Sequence, residues 1–505
     1  MAQFFKKYKP ERWGRNNYLW IVFTVLVGVF SNLPLVDGQY VGNDEVGQRG
    51  SSERIINSVK NIDIEELSIT IANQYHPPLK YIMPIPGLLV SESEFAHRFM
   101  TIFASLLLIV AVYVFSKRFF GDSVANISSL LLASSSTFNY FSMVFGWSYV
   151  CIMLMAILSI LESQKFDLND SSGKEVFKYL SLLSLGIFLI NQNGIVFAGS
   201  VALVFLFHNK PALVIKESAP YLTLYAIYYS IVFVLIPHVA YEFYGYDRNF
   251  GQLWQYEARY TSAGLNIESF IENLKGINAY FLPLFSWAIS FLAIREMLLR
   301  HKNSLLFFAP FVLVWSFYMQ GHSAQYYLMF FIVTLPYAVF YIYNKVKNPK
   351  VFYVLGFSLS LLVISWNYVF FIKKYTDNQI HDLKELEQKW FSFVSRRHNI
   401  FYPYDEISDF LNERSSQKFI HDMSLSFSRY YHNDKDYSNQ HHSNYLGMLG
   451  SDKFLLTYDD KGKCYRVGFS AEGVILITEK ELCEDGIAKV KDFDGSNIKV
   501  YVEKN

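Results

Sequence analysis

Between Tyr18 and Ile372 the chain is a succession of apolar stretches, each near the length needed to cross a bilayer and parted by short polar connectors. They run over Tyr18–Val36, His97–Phe115, Val124–Phe141, Val144–Leu161, Val176–Ile190 and Gly194–Phe207. Further on come Ala219–Pro237, Phe281–Leu299, Leu305–Met319, Tyr326–Tyr343 and Val351–Ile372. In a soluble fold of 505 residues so many long apolar runs would have nowhere to go, and the 52% hydrophobic content agrees. The pattern predicts an α-helical polytopic membrane protein with about eleven transmembrane helices.

Charge orients the spans. Lys6, Lys7, Lys9, Arg12 and Arg15 precede the first one, which predicts a cytoplasmic N-terminus. No small-residue cleavage site follows, so the first span reads as an uncleaved signal anchor. Basic connectors then recur at Lys117-Arg118, Lys165 to Lys178, Lys210 to Lys216, Arg295 to Lys302 and Lys345 to Lys350. All fall on the cytoplasmic side if the N-terminus does, giving an odd span count and an outward C-terminus. The expectation is a multi-pass protein of the cell (inner) membrane. A net charge of +1 says nothing by itself about an acidic partner, and no nucleic-acid partner is expected.

The chain divides into a membrane domain over 1–372 and a polar C-terminal domain over 373–505. The latter shows a helical pattern over Asp382–Arg397 and strand patterns at Phe454–Tyr458, Val467–Phe469, Val474–Ile477 and Ile498–Val502, the mark of a small α+β domain outside the cytoplasm. Its Cys464 and Cys483 can pair in an oxidising compartment or stay apart; Cys151 lies in an apolar span as a small core residue.

Two outer connectors are long enough to fold. In the first, 37–96, Ile55, Ile56, Val59 and Ile62 recur at helical spacing among Glu53, Arg54, Asn57 and Lys60, predicting an amphipathic helix on the membrane surface. The same connector holds most residues suited to chemistry. Asp44 and Glu45 can supply a general base, or Asn43-Asp44 can merely cap a helix. His76-Pro77-Pro78-Leu79-Lys80-Tyr81 starts a turn that can present His76 or Lys80 to a phosphate, with Pro84 and Pro86 ending it, or is a rigid connector with a snorkelling lysine. Ser91 and Glu94 match a capping box for the second span. Arg98, one turn beyond Glu94, can pair with it or bind phosphate bidentately. The second connector, about 238–280, contributes Arg248 and Arg259, and His322, Gln325 and Tyr326 precede the tenth span. Each can reach an outer cavity or anchor at the interface. His421, His432, His441 and His442 lack ligand spacing and read as solvated loop residues.

The order of these motifs resembles the GT-C glycosyltransferases: a signal anchor, Asp44-Glu45, an amphipathic loop, His76-Pro77-Pro78-Leu79, then Glu94 through Arg98 opening a span that Lys117-Arg118-Phe119-Phe120-Gly121 closes. It is most similar to the protein O-mannosyltransferases and lipid A aminoarabinose transferases, over about Tyr18 to Phe207 and more weakly to Ile372. The resemblance implies inverting transfer of a monosaccharide from a polyprenyl-phosphate carrier, the donor substrate, to a glycan, lipid or protein acceptor at the outer face. Asp44 would be the catalytic carboxylate and Glu45 its neighbour, with Arg98, Lys80 and His76 on the donor phosphate. Arg49, Arg259 and Tyr326 are further candidates. The sequence departs from the pattern in two places: Gln325 precedes Tyr326-Tyr327 where many members have Arg-Tyr, and Arg49 falls later than the Arg that follows the pair in aminoarabinose transferases. No acidic residue occupies the turn around Asn139 to Tyr149 where some relatives use one, so no metal site is assigned and a divalent ion stays an open question.

Other classes compete with this reading. A transporter or flippase of lipid-linked sugars needs ionisable groups deep within its spans, whereas here they gather at the ends. An O-antigen polymerase or ligase shares the carrier lipid but moves preassembled glycans, and a non-catalytic relative would use the C-terminal domain to bind a partner.

Overall fold

The computed structural model describes residues 14–36, 43–72, 77–91, 93–135, 147–191, 194–244, 283–318 and 323–376, and in the C-terminal part 410, 418–421, 443–445, 456–458, 465–467, 474–478, 482, 487–492 and 499–503. Two compact units emerge: Met1–Gly38 with Ser51–Phe370 and Trp390–Ser392, and Gln39–Gly50 with Phe371–Lys389 and Phe393–Asn505.

The first unit is a bundle of helices. After α1 (Arg15–Val36), the first long loop carries α2 (Asn43–Asn61, which begins in the second unit's segment), α3 (Ile64–Ala72) and two short turns of helix, α4 (Leu79–Ile82) and α5 (Ile85–Leu88). The bundle continues with α6 (Glu94–Phe120), α7 (Asp122–Ser134), α8 (Trp147–Leu161), α9 (Ser171–Ile190), α10 (Gly194–Leu206) and α11 (Pro211–Tyr229). A π-turn at Ser230–Leu235 joins α11 to α12 (Ile236–Tyr244), followed by α13 (Pro283–Arg300), α14 (Lys302–Tyr318), α15 (Ser323–Val346) and α16 (Pro349–Thr376).

Each expected span coincides with one of these helices, but several reach further than their apolar stretch. Lys117 and Arg118 lie in the last turn of α6 and Lys345 in that of α15, where cations favour the carbonyl end of the helix dipole. Conversely α7 ends at Ser134, short of the expected Phe141. Among the described residues, three helices are long and apolar enough to cross a membrane by themselves: Phe95–Phe120, Pro211–Ala240 and Met329–Val346. Large apolar side chains stay exposed along the helices, among them Leu19, Leu26 and Phe30 on α1 and Leu361 and Leu362 on α16. A water-facing bundle would hide such a surface; a bilayer covers it. The protein is a helical membrane protein.

Polar contacts and rings lock the helices to one another. Trp20 Nε1 donates to the Asn126 carbonyl at 3.1 Å, and its ring meets Phe357 edge-on at 5.6 Å, tying α1 to α7 and α16. At another junction Glu162, just after α8, accepts from the Ser304 backbone N–H (3.2 Å) and hydroxyl, and lies 3.4 Å from His301 Nδ1. Phe120 stacks on His301 from one side, and Tyr337 Oη is 3.0 Å from the same Nδ1. Burial lowers the His301 pKa to about 4, so this imidazole is neutral at pH 7. Pro237 cannot donate to the carbonyl four residues back, and the helix widens to a π-turn immediately before it.

The second unit contains a five-stranded mixed sheet, in the order β2-β1-β5-β7-β6. Its strands are β1 (Lys418–His421), β2 (Ser443–Tyr445), β5 (Val474–Thr478), β6 (Ile487–Asp492) and β7 (Lys499–Glu503). A separate antiparallel pair is formed by β3 (Leu456–Tyr458) and β4 (Tyr465–Val467). β1 runs parallel to β2 and β5, while β7 is antiparallel to β5 and β6. Val500 and Tyr501 are fully buried, and the Tyr501 hydroxyl accepts from the Leu482 N–H at 3.1 Å. β3, β4, β5 and β7 fall on or beside expected strands, whereas β1, β2 and β6 were not expected. Asp382–Arg397, His432, His441, His442, Cys464 and Cys483 lie outside the described residues.

Candidate active site

The first long loop is built from short helices, and its sequence dictates each boundary. Asp44 and Glu45 fall in the first turn of α2, one helical turn before Gln48 and Arg49. The side chains that bury themselves on α2 are Gln48, Arg49, Ser52, Ile55 and Ser58, recurring every three or four residues. Ile55 is buried, whereas Val59 is 61% exposed and Ile62 82%, so the helix packs mostly its polar stripe against the protein. The reason lies in its hydrogen bonds. Ser52 Oγ, for instance, donates to the Tyr81 carbonyl at 2.6 Å and fastens α2 to α4.

Just past the end of α2 comes Ile62, whose φ of 56° is unusual for a β-branched residue. The Asp63 N–H returns to the Ser58 carbonyl (2.8 Å) and the Ile62 N–H to that of Val59 (3.4 Å), a Schellman closure in which glycine is the usual occupant. Asp63 then caps α3 by accepting from the Glu66 N–H at 2.9 Å. α3 packs against α12 and the π-turn, which couples the loop to the far end of α11.

Pro77 and Pro78 start α4 because helix N-termini need no N–H from them: Lys80 N–H reaches the Pro77 carbonyl (3.1 Å) and Tyr81 N–H that of Pro78 (2.9 Å). Pro84 closes this turn and opens α5. Gly87 of α5 lies so close to α6 that a Cβ there would sit 1.9 Å from the Ala96 carbonyl oxygen. The backbone contact joins the strap bearing Lys80 to the helix start bearing Arg98.

That helix start also differs from expectation. Its cap is Ser93, not Ser91: Ser93 Oγ accepts from the Ala96 N–H at 3.2 Å, and Ser91 supports Ser93 from outside the helix. Two further bonds hold the turn of Arg98. Thr101 Oγ1 donates to the Arg98 carbonyl (2.7 Å), and Tyr149 Oη on α8 to that of Met100 (2.7 Å).

Within the first unit the sequence-predicted cations Lys80 and Arg98 are both withdrawn from water, at 5% and 2% exposure. Taking a lysine and an arginine out of water is expensive unless counter-charge or hydrogen bonds meet them, and both residues have partners within the protein. Arg49, 3% exposed, belongs to the second unit. Tyr326 is placed in the first turn of α15. His76, Arg248, Arg259 and His322 lie outside the described residues, as does most of the Asn139 to Tyr149 turn.

Sequence reasoning gave no role to three residues that the fold brings to this region. His97, beside Arg98, is 2% exposed. Tyr149 braces α6 as described above. Asn191, 5% exposed, caps the end of α9, the helix that α4 packs against. An Asn-Gln-Asn-Gly turn between two apolar stretches was the one visible signal for the last. Among the described residues no three His, Cys, Asp or Glu side chains are grouped to hold a metal ion.

Residues 75–241, which include Lys80 and Arg98 but begin after Asp44 and Glu45, match the family described as dolichyl-phosphate-mannose-protein mannosyltransferase. The fold is similar to the crystal structure of ArnT from Cupriavidus metallidurans bound to undecaprenyl phosphate: TM-score 0.53, 13% identity, 95% of this chain and 97% of that one. The chain shares the fold of this ArnT, and about a third of it matches the mannosyltransferase family. The apo form of the same ArnT superposes with a TM-score of 0.51 at 11% identity, again over 95% and 97% of the two chains. The archaeal oligosaccharyltransferase AglB from Archaeoglobus fulgidus, solved with an inhibitory peptide and a dolichol-phosphate, gives a TM-score of 0.46 at 11% identity over 83% of this chain and 63% of that one. No curated protein sequence matches the chain.

Proposed function

We propose that this protein is a GT-C glycosyltransferase that transfers a monosaccharide from a polyprenyl-phosphate carrier to a hydroxyl or amine of a glycan, lipid or protein acceptor, at the face of the membrane opposite the basic connectors. The observation that carries the reading is the buried pair Lys80 and Arg98, on elements that meet backbone to backbone at Gly87 and Ala96 inside the matched region. The likeness to an ArnT bound to undecaprenyl phosphate supports a lipid phosphate as the anion these cations receive.

The chemistry follows from the charges. Lys80 and Arg98, with His76, neutralise the donor phosphate. Asp44 takes the proton of the acceptor hydroxyl, and Glu45 orients it. The acceptor oxygen then attacks the anomeric carbon from the side opposite the phosphate; the carbon–oxygen bond to phosphate breaks, and configuration inverts. Polyprenyl phosphate departs as a stable anion, so no general acid is required, and the two cations gain most as charge builds on the leaving oxygen. Arg49, Arg259 and Tyr326 are candidates for binding sugar or acceptor.

Membrane domain 1–372 would hold this site in its first loop, 37–96. The test is photocrosslinking of a diazirine-bearing polyprenyl phosphate to the purified full-length protein. Labelling that maps to residues 77–101 and is lost in Arg98→Met supports the reading; labelling elsewhere, unaffected by Arg98→Met and Lys80→Met, contradicts it.

A further inference from the structure

Helix α13 carries charge where its exposed side is otherwise apolar. Phe291, Leu298 and Leu299 are 65, 51 and 62% exposed, so this side of the helix faces lipid in a membrane protein. Arg295 lies between them, one turn from Phe291 and one from Leu298, with half of its side chain exposed. It stands roughly 7.5 Å in from the helix end at Arg300, measured along the axis. Its guanidinium rests over the Tyr341 ring of α15 at 4.9 Å, and Nη1 meets Glu296 Oε1 at 2.9 Å. Arg300, also half exposed, lies over Phe340 at 4.8 Å and reaches Glu296 Oε2 at 3.4 Å. From the C-terminal end of α15, Lys345 Nζ approaches the same Tyr341 ring at 5.8 Å.

Among the described residues Glu296 is the one carboxylate bonded to any of these cations, and it is itself buried at 6% exposure. Glu162, the neighbouring acid, is already engaged by Ser304 and His301. Two arginines therefore share one carboxylate, Arg295 and Lys345 share one ring, and Lys345 has no carboxylate partner among the described residues. At a lipid-facing rim, where water screens poorly, that arrangement favours an anion lodged between them.

We infer that Arg295, Arg300 and Lys345, set around Tyr341 and Phe340, bind the phosphate of an anionic phospholipid from the leaflet on the side of the basic connectors. The arginine forks suit phosphate oxygens, and basic clefts between membrane helices are recognised lipid headgroup sites. The apolar flank selects a phospholipid over a free phosphate: the exposed Phe291 and Leu298 lie beside Arg295 on α13 as a surface for acyl chains. A lipid held there would clamp α13 to α15, which pack along one another. None of the residues assigned to sugar transfer takes part.

The test is native mass spectrometry and thermal melting of the purified full-length protein, titrated with phosphatidylglycerol, phosphatidylcholine or inorganic phosphate. The variant R295Q/K345Q removes two cations but leaves Arg300 to pair with Glu296. K178Q/K210Q removes as many exposed lysines from other connectors. Wild type and K178Q/K210Q are expected to retain phosphatidylglycerol in preference to phosphatidylcholine and to melt higher in its presence. R295Q/K345Q is expected to bind it roughly 10- to 30-fold more weakly. Equal losses in both double variants would mean diffuse attraction rather than a site. Equal retention of phosphatidylcholine, or a melting shift with inorganic phosphate as large as with phosphatidylglycerol, would also overturn the inference. Should R295Q/K345Q melt abnormally without lipid, K345Q alone, at an exposed position, is expected to show a several-fold loss, and unchanged binding there contradicts the assignment.

Discussion

Replacing Gly87 with alanine adds one methyl group at a point where two backbones touch. The new Cβ would lie 1.9 Å from the Ala96 carbonyl oxygen and 2.8 Å from its carbon. Neither partner is a flexible side chain that could swing aside, so α5 and the start of α6 must part by about 1 Å to reach even a tight van der Waals contact. Overpacking of this kind costs about 1–3 kcal/mol. Displacement also moves the Lys80 turn relative to the Arg98 turn, and misplacing a positioned group by about 1 Å can cost on the order of 100-fold in rate. Gly199→Ala is the matched control: nothing lies within 4 Å of its added Cβ, and alanine within α10 should gain about 0.5–1 kcal/mol of helix propensity. Melting curves in one detergent, with native mass spectrometry of bound polyprenyl phosphate, read both effects. Expected are a lowered melting temperature and weakened lipid binding for Gly87→Ala, and no loss for Gly199→Ala. A Gly87→Ala protein that melts and binds like wild type would refute the idea that this contact fixes the site.

Three further outcomes follow from the same geometry. Lys80→Met and Arg98→Met should each weaken polyprenyl-phosphate binding by roughly 10- to 100-fold, since each removes a charge-assisted contact from a buried site; titration by native mass spectrometry measures this, with melting curves to show that the variants are folded. Ser93→Ala should lower stability by about 1 kcal/mol through loss of the α6 cap, whereas Ser91→Ala should cost distinctly less, as thermal melting of the pair will show. Ile62→Gly should raise stability by about 1 kcal/mol, because it relieves a left-handed conformation at an exposed residue; a lowered melting temperature would mean that the isoleucine side chain matters more than its backbone.

The apolar stretches were legible because lipid imposes a single requirement on every span. Their ends were not, because Lys117, Arg118 and Lys345 look like connector residues yet complete the last turns of helices. For α2, periodicity reports which residues are greasy, not which ones find partners, so the inward turn of Ser52 and its neighbours was not legible. The spacing to Glu94 favours Ser91 as the cap, and only the backbone geometry gives that place to Ser93. β6 was missed because Lys489, Lys491 and Asp492 dilute its pattern, as on a strand with few apolar residues. In the site, Lys80 and Arg98 stood out as cations beside apolar runs. The burial of His97 and the brace from Tyr149 depend on helix packing, which no local signal encodes.

Mass spectrometry of envelope glycolipids, polysaccharides and glycoproteins from cells carrying wild type, a deletion, or Asp44→Asn tests the central claim most directly. The expected result is loss of the same single-sugar mass in the deletion and in Asp44→Asn. Accumulation of lipid-linked sugar with every single-sugar mass still in place would contradict transfer itself, and a normal glycan profile in Asp44→Asn would remove Asp44 from the mechanism.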